Sequence, residues 1–431
     1  MKVAVVGAGS TYTPELVEGF ARRAERLPMD ELAMLDIDPA RLEVVGGLAS
    51  RMLAKAGWNG RLTLTGDRAE ALDGADFVIV QLRVGGNRAR YADETIPLGF
   101  GCIGQETTGP GGFAKGLRTI PVVLDLAEET ARRGAPGAWF VDFTNPTGMV
   151  AQALLDEGHR ALGLCNVAIG LQREFARVFG VSPDRIQLDH VGLNHLSWER
   201  AVLVDGVDRL PEMLDAMTGS GSQALREELA ELAEELSPDV MRLLRAIPSS
   251  YLRYYYFTDR VLDEQRSGHI RAEEVMRIEA GLLDMYKDPS LDTKPALLEE
   301  RGGAFYSEAA AMLVASLHGG TGDVQVVDAL NEGAIPNLPA DDVVEISARV
   351  DGDGAHPIAT SPLAPEMLGL VQAAKAYERL TIEAAKTGSR ETALKALIAN
   401  PLVRGFDVAA PLLDALLEAN RAYLPRFFPD R

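Results

Sequence analysis

The sequence predicts an α/β protein: a doubly wound parallel sheet over residues 1–170, followed by an α+β lobe over residues 171–431. Three observations predict it. Short apolar runs alternate with helix-like stretches through the first 165 residues, the rhythm of repeated βα units whose strands lie parallel. The first unit, KVAVVGAGSTYTPELVEGF at residues 2–20, joins a buried-strand pattern to two closely spaced glycines and a proline where a helix opens. After about residue 170 this rhythm stops.

In chain order, the strand candidates of the first part are KVAVV, ELAMLDID, RLTLTG, DFVIVQLR, AWFVDFTN and HRALGLCN. Helical stretches such as PARLEVVGGLASRMLAKAG and RTIPVVLDLAEETARRG separate them. In such sheets ligands collect beyond the carboxyl ends of the strands. The polar residues with chemical potential fall there: residues 7–10, Asp36, Arg83 to Arg90, Asn145 and Cys165. In the second part, IQLDHVGLNHLSWERAVLVDG reads as antiparallel strands and residues 222–300 as mostly amphipathic helix. GDVQVVDALNEG and DVVEISARVDGDG read as further strands, and residues 363–424 as helix.

Bulk properties narrow the partners. A chain of 431 residues exceeds one ordinary core. Its formal charge, 43 − 63 = −20, argues against nucleic acid and anionic membranes. Only Cys102 and Cys165 are present, so no disulfide framework is expected and a reducing cytoplasm is the default. The N-terminal run is expected to be a strand and not a signal peptide, and no apolar run reaches the roughly 20 residues of a membrane span.

Five motifs carry the chemistry. In GAGST, Gly7, Gly9, Ser10 and Thr11 lie between strand and helix, and Asp36 closes the second strand where a carboxylate can accept from ribose hydroxyls. An acid there favours NAD over NADP, with Asp38 as the fallback; a plain glycine turn is the bland alternative. Residues 83–121 combine Arg83, Arg88, Arg90 and Arg118 with many glycines. That composition predicts a loop over the active site carrying anion-binding arginines, against the bland reading of a mobile surface loop. Asn145 in VDFTNPTG places an amide at the sheet edge, as a simple Asn-Pro turn also would. Cys165 and His195 end separate elements thirty residues apart. They are either two ligands of a metal completed by substrate oxygens, or a buried thiol and a core histidine. The tyrosines of IPSSYLRYYYFTDR are a core cluster or include a general base acting near a cation.

Taken in order, GAGSTYTPELVEG, GQETTGPGGF, FTNPTG, GLCNV, GLNHLSW and YLRYYY resemble glycoside hydrolase family four, the NAD- and metal-dependent glycosidases. RGGAFYSEAA and AYERLTIEAA extend the likeness, and GLCN with GQETTGPGG points to its branch acting on 6-phospho-β-glucosides. The resemblance implies a lactate-dehydrogenase-like Rossmann fold. It also implies a route outside the two-carboxylate scheme of most glycosidases: hydride removal from C3 by NAD⁺, loss of the C2 proton, elimination of the aglycone, addition of water and re-reduction. Cys165 and His195 become ligands of Mn²⁺ or another divalent metal, and Gly7, Gly9, Ser10, Thr11, Asp36 and Arg83 belong to the cofactor. Arg88, Arg90, Asn145, Asn166 and Arg301 are assigned to the substrate, with Arg83 also open to its 6-phosphate.

One element departs from the family pattern. Residues 206–250 contain no tyrosine, and Met241 stands about where a base tyrosine is expected. Tyr251 takes the role, with Tyr254, Tyr255, Asp259 or a metal-bound water as the alternatives. The expected partner is a phosphorylated disaccharide or β-glucoside, in a homodimer or homotetramer. The rival readings are an NAD-dependent 2-hydroxyacid dehydrogenase and a non-catalytic sugar-phosphate or NAD sensor.

Overall fold

The computed structural model describes residues 1–219, 221–230, 233–234, 237–268, 270–301 and 305–429. Residues 302–304 of the RGGAFYSEAA segment lie outside them. The six apolar runs of the first part become β1 (Lys2–Val6), β2 (Glu31–Leu35), β3 (Arg61–Thr65), β4 (Phe77–Val80), β5 (Trp139–Asp142) and β6 (Ala161–Gly163). They pair parallel in the order β6-β5-β4-β1-β2-β3. Successive side chains of a strand point to opposite faces, and both faces here are covered. Val3 and Val5 enter a core with the helices Thr13–Ala21, Pro39–Lys55 and Tyr306–Gly319. Ala4 and Val6 enter a second core with Gly109–Arg133, Thr147–Asp156 and Pro365–Thr387. Burial on both faces is why these runs are apolar without alternation. Among the described residues no helix is long and apolar enough to cross a membrane.

Beyond residue 170 the chain adds a hairpin, β7 (Ile186–Leu193) and β8 (Leu196–Val204), antiparallel as expected. The short strands β9 (Val207–Asp208) and β10 (Ile247–Pro248) pair with β8. The chain then returns to the first sheet. β11 (Asp323–Leu330), β12 (Val343–Asp351) and β13 (Gly354–Pro357) extend it antiparallel beyond β6, giving nine strands in all. Residue 170 therefore marks a change in pairing direction and not the end of a sheet. β6 has only three residues and would otherwise leave an open edge, which β11 covers.

The stretch expected as a loop, residues 83–121, is instead mostly helical. Gly86–Gly99 and the start of Gly109–Arg133 flank a short connection. Its glycines serve close backbone approach. A Cβ on Gly104 would lie 1.8 Å from the Glu94 carbonyl oxygen, and one on Gly111 2.2 Å from that of Gln105. Both neighbours are main chain and have no rotamer to move. Gly104→Ala is accordingly expected to destabilise the fold by about 1–3 kcal/mol, the usual cost of overpacking, read as a lower urea midpoint. An unchanged midpoint would remove this account of the glycines.

Candidate active site

At the first βα turn, Gly7 has φ +84°, and a Cβ there would stand 2.9 Å from the Gln81 carbonyl oxygen. Gly9 donates its N–H to Asp36 Oδ2 at 2.7 Å, the oxygen that a Gly9 Cβ would meet at 2.8 Å. Asp36 Oδ1 accepts from the Asp38 N–H at 2.9 Å. Asp38 itself caps the helix Pro39–Lys55 through the N–H groups of Ala40 and Arg41, so the fallback role is taken by a structural one. The hydroxyls of STYT brace the turn where a third glycine is absent. Ser10 Oγ accepts from the Tyr12 N–H, and Thr13 Oγ1 donates to the Ala8 carbonyl at 2.8 Å.

Glu279 gathers the groups around this turn. It accepts from Arg301 at 2.9 Å, Asn87 at 2.8 Å, and Arg41 and Thr11 at 3.4 Å. Burial disfavours its charge, but Arg301 first, then Arg41 and Arg83, outweigh that and hold the carboxyl below its ordinary range. Arg301 also lies 5.5 Å from the centroid of the Tyr12 ring. It thus sits beside the nucleotide turn, where it was expected at the sugar.

A second cluster lies at the ends of β4 and the following helices. Arg83 forks onto the carboxylate of Glu106. Lys115 Nζ reaches the same carboxylate at 2.8 Å and Arg90 at 3.3 Å, while Arg90 Nε also donates to Glu94 at 2.7 Å. Burial pushes the Glu106 carboxyl up, but Arg83, Lys115 and Arg90 together hold it well below the usual range. Burial, then repulsion from Arg83, pushes Lys115 down to about 7 despite the attraction of Glu106. The structure thus brings Arg83 and Arg90 together. Arg88 is exposed on the far side of its helix and does not join them. Arg118 is fully buried in a two-pronged pair with Asp93 and serves packing. Nothing in the local pattern of GQETTGPGGFAKG singles out Glu106 or Lys115, whose roles come from the arginines packed around them.

The third cluster joins the motifs GLCNV, GLNHLSW and YLRYYY. His195 occupies the two-residue turn between β7 and β8, in the left-handed region at φ 62°. Its Nδ1 lies 3.0 Å from Thr107 Oγ1, and its ring stacks flat on Tyr251 with centroids 3.7 Å apart and planes 4° from parallel. Burial lowers its pKa to about 4, so the imidazole is neutral with Nε2 left for another partner. Cys165 follows β6 and is buried 3.9 Å from the Tyr306 hydroxyl. Burial first, then the nearby Glu345, raises its thiol well above the ordinary value. Tyr251 is raised too, by burial and next by Cys165, while Arg90 pulls the other way. Tyr251 therefore links the two, stacked on the imidazole and within electrostatic reach of the thiol. Asn145 beyond β5 leaves Oδ1 buried without a protein partner. The Tyr306 ring packs on Phe143 at 5.9 Å and edge-on to Tyr12 at 6.3 Å, linking this cluster to the nucleotide turn. Asn166 precedes the helix Val167–Phe179 directly after Cys165. Asp259 is exposed and bound to Arg404 at 2.6 Å, which removes it as a base.

Behind the His195 turn is a buried polar network the sequence reading did not find. His190 Nδ1 meets Glu199 at 2.6 Å and its Nε2 meets Glu345 at 2.9 Å. Glu345 also accepts from Asn194 at 3.1 Å and Ser197 at 3.0 Å, tying both ends of the turn to one carboxylate. Burial opposes the imidazolium, yet Glu199 and then Glu345 raise His190 from 6.5 to about 10. A folded pKa above the unfolded one stabilises fully below the unfolded value and is lost as pH climbs through the folded value. The stability gap between wild type and His190→Gln is therefore expected to be widest below pH 6.5 and to shrink towards pH 10. A gap that grows with pH, followed by urea titration, would refute the charged histidine.

The arrangement can hold a dinucleotide and a cation. The glycine turn leaves no room for a Cβ at positions 7 and 9. Among the described residues no group of three or more His, Cys, Asp or Glu is arranged for a metal. A cation would hold to one sulfur and one imidazole nitrogen, with the orphaned Asn145 oxygen nearby and remaining positions open to substrate. A dehydrogenase Asp–His relay is not formed by DHVGLNH. Asp189 is engaged by Arg200 and Thr360, and His190 faces two glutamates.

Comparison with known proteins places this geometry. A model described as family 4 glycosyl hydrolase matches residues 2–181, and one for the C-terminal domain of that family matches residues 190–403. A probable 6-phospho-β-glucosidase of Bacillus subtilis (strain 168) is 44% identical over 436 residues, covering 99% of this chain and 98% of its own. The solved 6-phospho-β-glucosidase of Thermotoga maritima, with NAD and glucose 6-phosphate, is similar at TM-score 0.91 and 36% identity, over 98% of this chain and 99% of that one. The same enzyme is also solved with manganese, NAD⁺ and glucose 6-phosphate. Malate dehydrogenase of Cryptosporidium parvum, 13% identical with TM-score 0.54 over 89% of this chain and 98% of its own, shares the Rossmann-type fold alone.

Proposed function

This chain belongs to glycosyl hydrolase family 4 and is a glycosidase, and we propose that it hydrolyses 6-phospho-β-glucosides using NAD⁺ and a divalent cation, Mn²⁺ foremost. The observation that carries the reading is the neutral His195 stacked on Tyr251, with the buried Cys165 within electrostatic reach of that phenol, together with a strand–glycine turn–helix unit closed by the Asp36 carboxylate. When bound, NAD⁺ supplies a reversible hydride acceptor for C3 of the sugar, and the cation supplies positive charge for its C2 and C3 oxygens.

The chain's own groups divide the remaining work. Gly7, Gly9, Ser10, Thr11 and Asp36 hold the nucleotide, with Arg301 and Arg41 held alongside by Glu279. Arg83 and Arg90 balance the carboxylates Glu106 and Glu94, and Lys115, with its pKa at about 7, adds positive charge for the 6-phosphate when it takes up a proton. Asn145 offers its unpartnered Oδ1 to a sugar hydroxyl, and Asn166 stands beside Cys165. Tyr251 takes the C2 proton. Arg90 favours its phenolate and the His195 ring fixes its plane.

The test is hydrolysis of p-nitrophenyl 6-phospho-β-glucoside with and without NAD⁺ and Mn²⁺, beside the α-anomer. Turnover should need both additions, favour the β-anomer and release nitrophenol without net accumulation of NADH. Activity that survives EDTA and cofactor removal would sink the mechanism, and preference for the α-anomer would sink the substrate. Arg90→Met is expected to raise KM for the phosphorylated substrate about 10–100-fold, the scale of a charge-assisted hydrogen bond. It should leave the weak hydrolysis of the unphosphorylated glucoside unchanged in KM.

A further inference from the structure

The Cys165 side of the molecule opens into a cavity of about 460 Å³. Its floor is apolar, from Ile169, Ala309 and Met312, and its walls carry Gln172, Gln325 and Arg173. The cleft on the other side, beside His195 and Tyr255, has a volume of only about 20 Å³, room for one water. We propose that the larger cavity receives the leaving group of the substrate, a neutral hexose unit, a reading that rests on the glycosidase function above.

Charge excludes a second phosphate. Each cavity arginine is already paired: Arg23 with Glu308 at 2.9 Å, Arg26 with Asp323 at 2.7 Å, and Arg173 with Glu308. With Asp184 also in the lining, three carboxylates match the three arginines and no surplus positive charge remains there. The polar groups suit hydroxyls instead. Gln172 donates to the Ile186 carbonyl at 2.8 Å and Gln325 to Ser316 at 2.8 Å, which fixes two amides in the wall. Arg173 Nε is buried and has no protein partner, a donor that a ligand oxygen would satisfy. Volume agrees, since small-ligand sites fall in the range of about 300–1,000 Å³. Position agrees as well. Cys165 lines this cavity and lies 3.9 Å from the Tyr306 hydroxyl, whose ring packs edge-on to Tyr12 of the glycine turn, so the cavity adjoins the proposed sugar site.

Two variants test it. Arg173→Met removes the orphan donor while Arg23 still neutralises Glu308. Ala309→Leu puts bulk into the cavity from the helix Tyr306–Gly319. Each is assayed with cellobiose 6′-phosphate and with methyl 6-phospho-β-glucoside, whose leaving group is too small to reach the walls. Inhibition by glucose 6-phosphate gives the control for the sugar site. The ratio of kcat/KM for the disaccharide over the methyl glycoside is expected to fall about tenfold in both variants, with the inhibition constant within twofold of wild type. An unchanged ratio overturns the proposal, and so does a parallel loss on both substrates. Wild-type enzyme inert towards both would sink the glycosidase reading itself, a different result from active enzyme with a fixed ratio.

Discussion

Tyr251→Phe is expected to lower kcat by about 10²–10⁴-fold, the usual contribution of a positioned acid–base group, with KM changed little. The substitution removes one oxygen and keeps the ring. The face-to-face contact with His195 at 3.7 Å and the edge contact with Tyr254 at 6.1 Å both survive. A structural role for Tyr251 therefore predicts almost no effect, and a proton-transfer role predicts a large one. The neighbouring phenols supply the controls. Tyr255 is raised by burial to well above its ordinary value, with Glu378 adding to the rise and no cation beside it to favour its phenolate. Burial and Cys165 raise Tyr251 at least as far, but of the two only Tyr251 has Arg90 opposing the rise and favouring its phenolate. Tyr255→Phe should accordingly cost less than about fivefold, below the range of acid–base groups. A C2-deuterated substrate should show a larger isotope effect with Tyr251→Phe than with wild type. Activity within threefold of wild type would move the base elsewhere.

How much of this was legible in the sequence differs by feature, for physical reasons. The nucleotide turn is local, so a strand, Gly7, Gly9 and the Asp36 carboxylate could be read within 36 residues. The strands of the first sheet were legible from their uninterrupted apolar runs, and the β7–β8 hairpin from its changed pattern. The return of β11 to the first sheet was not, because periodicity states that a segment is a strand and not which edge it covers. Glycine density at 83–121 has two causes, freedom and close approach, and composition cannot separate them. Once Gly86–Gly99 is a helix, Arg88 and Arg90 are two positions apart and point about 200° away from each other. Only one could face the site. Glu106, Lys115, His190 and Glu345 escaped notice because each earns its role from partners brought by tertiary packing, up to 155 residues distant for His190 and Glu345. Cys165 and His195 stood out as a candidate pair, but the residues alone left a buried thiol and a core histidine open as well, since two residues on separate elements have no ligand spacing to recognise.

That pair sets the second large effect. Cys165→Ser and His195→Ala are each expected to abolish Mn²⁺ binding at micromolar metal, so that the free-ion EPR signal stays undiminished when protein is added, and to lower kcat/KM by at least about 10³-fold, near the upper reach of one removed catalytic interaction. The structure says why neither loss can be made good. Among the described residues there is no third His, Cys, Asp or Glu arranged to replace a missing ligand. The thiol itself is costly to ionise, because burial and Glu345 both raise it. A cation must therefore repay that cost, and serine, with a far weaker acid in the same buried place, cannot be deprotonated to take over. His195 is already neutral through burial and is held at Nδ1 by Thr107, so its Nε2 needs no proton loss before it binds. The two substitutions should then differ in their pH dependence. Metal affinity of the wild type should rise with pH as the thiol gives up its proton on binding, while the residual affinity of Cys165→Ser should be flat from pH 6 to 8, well above the His195 pKa of about 4. Thr107→Ala separates orientation from ligation: it frees the imidazole from its 3.0 Å partner, and should weaken Mn²⁺ binding about 10–100-fold without abolishing it. Full Mn²⁺ affinity in either ligand variant would show that the thiol and the imidazole serve the core, and the cation would have to be sought at other groups.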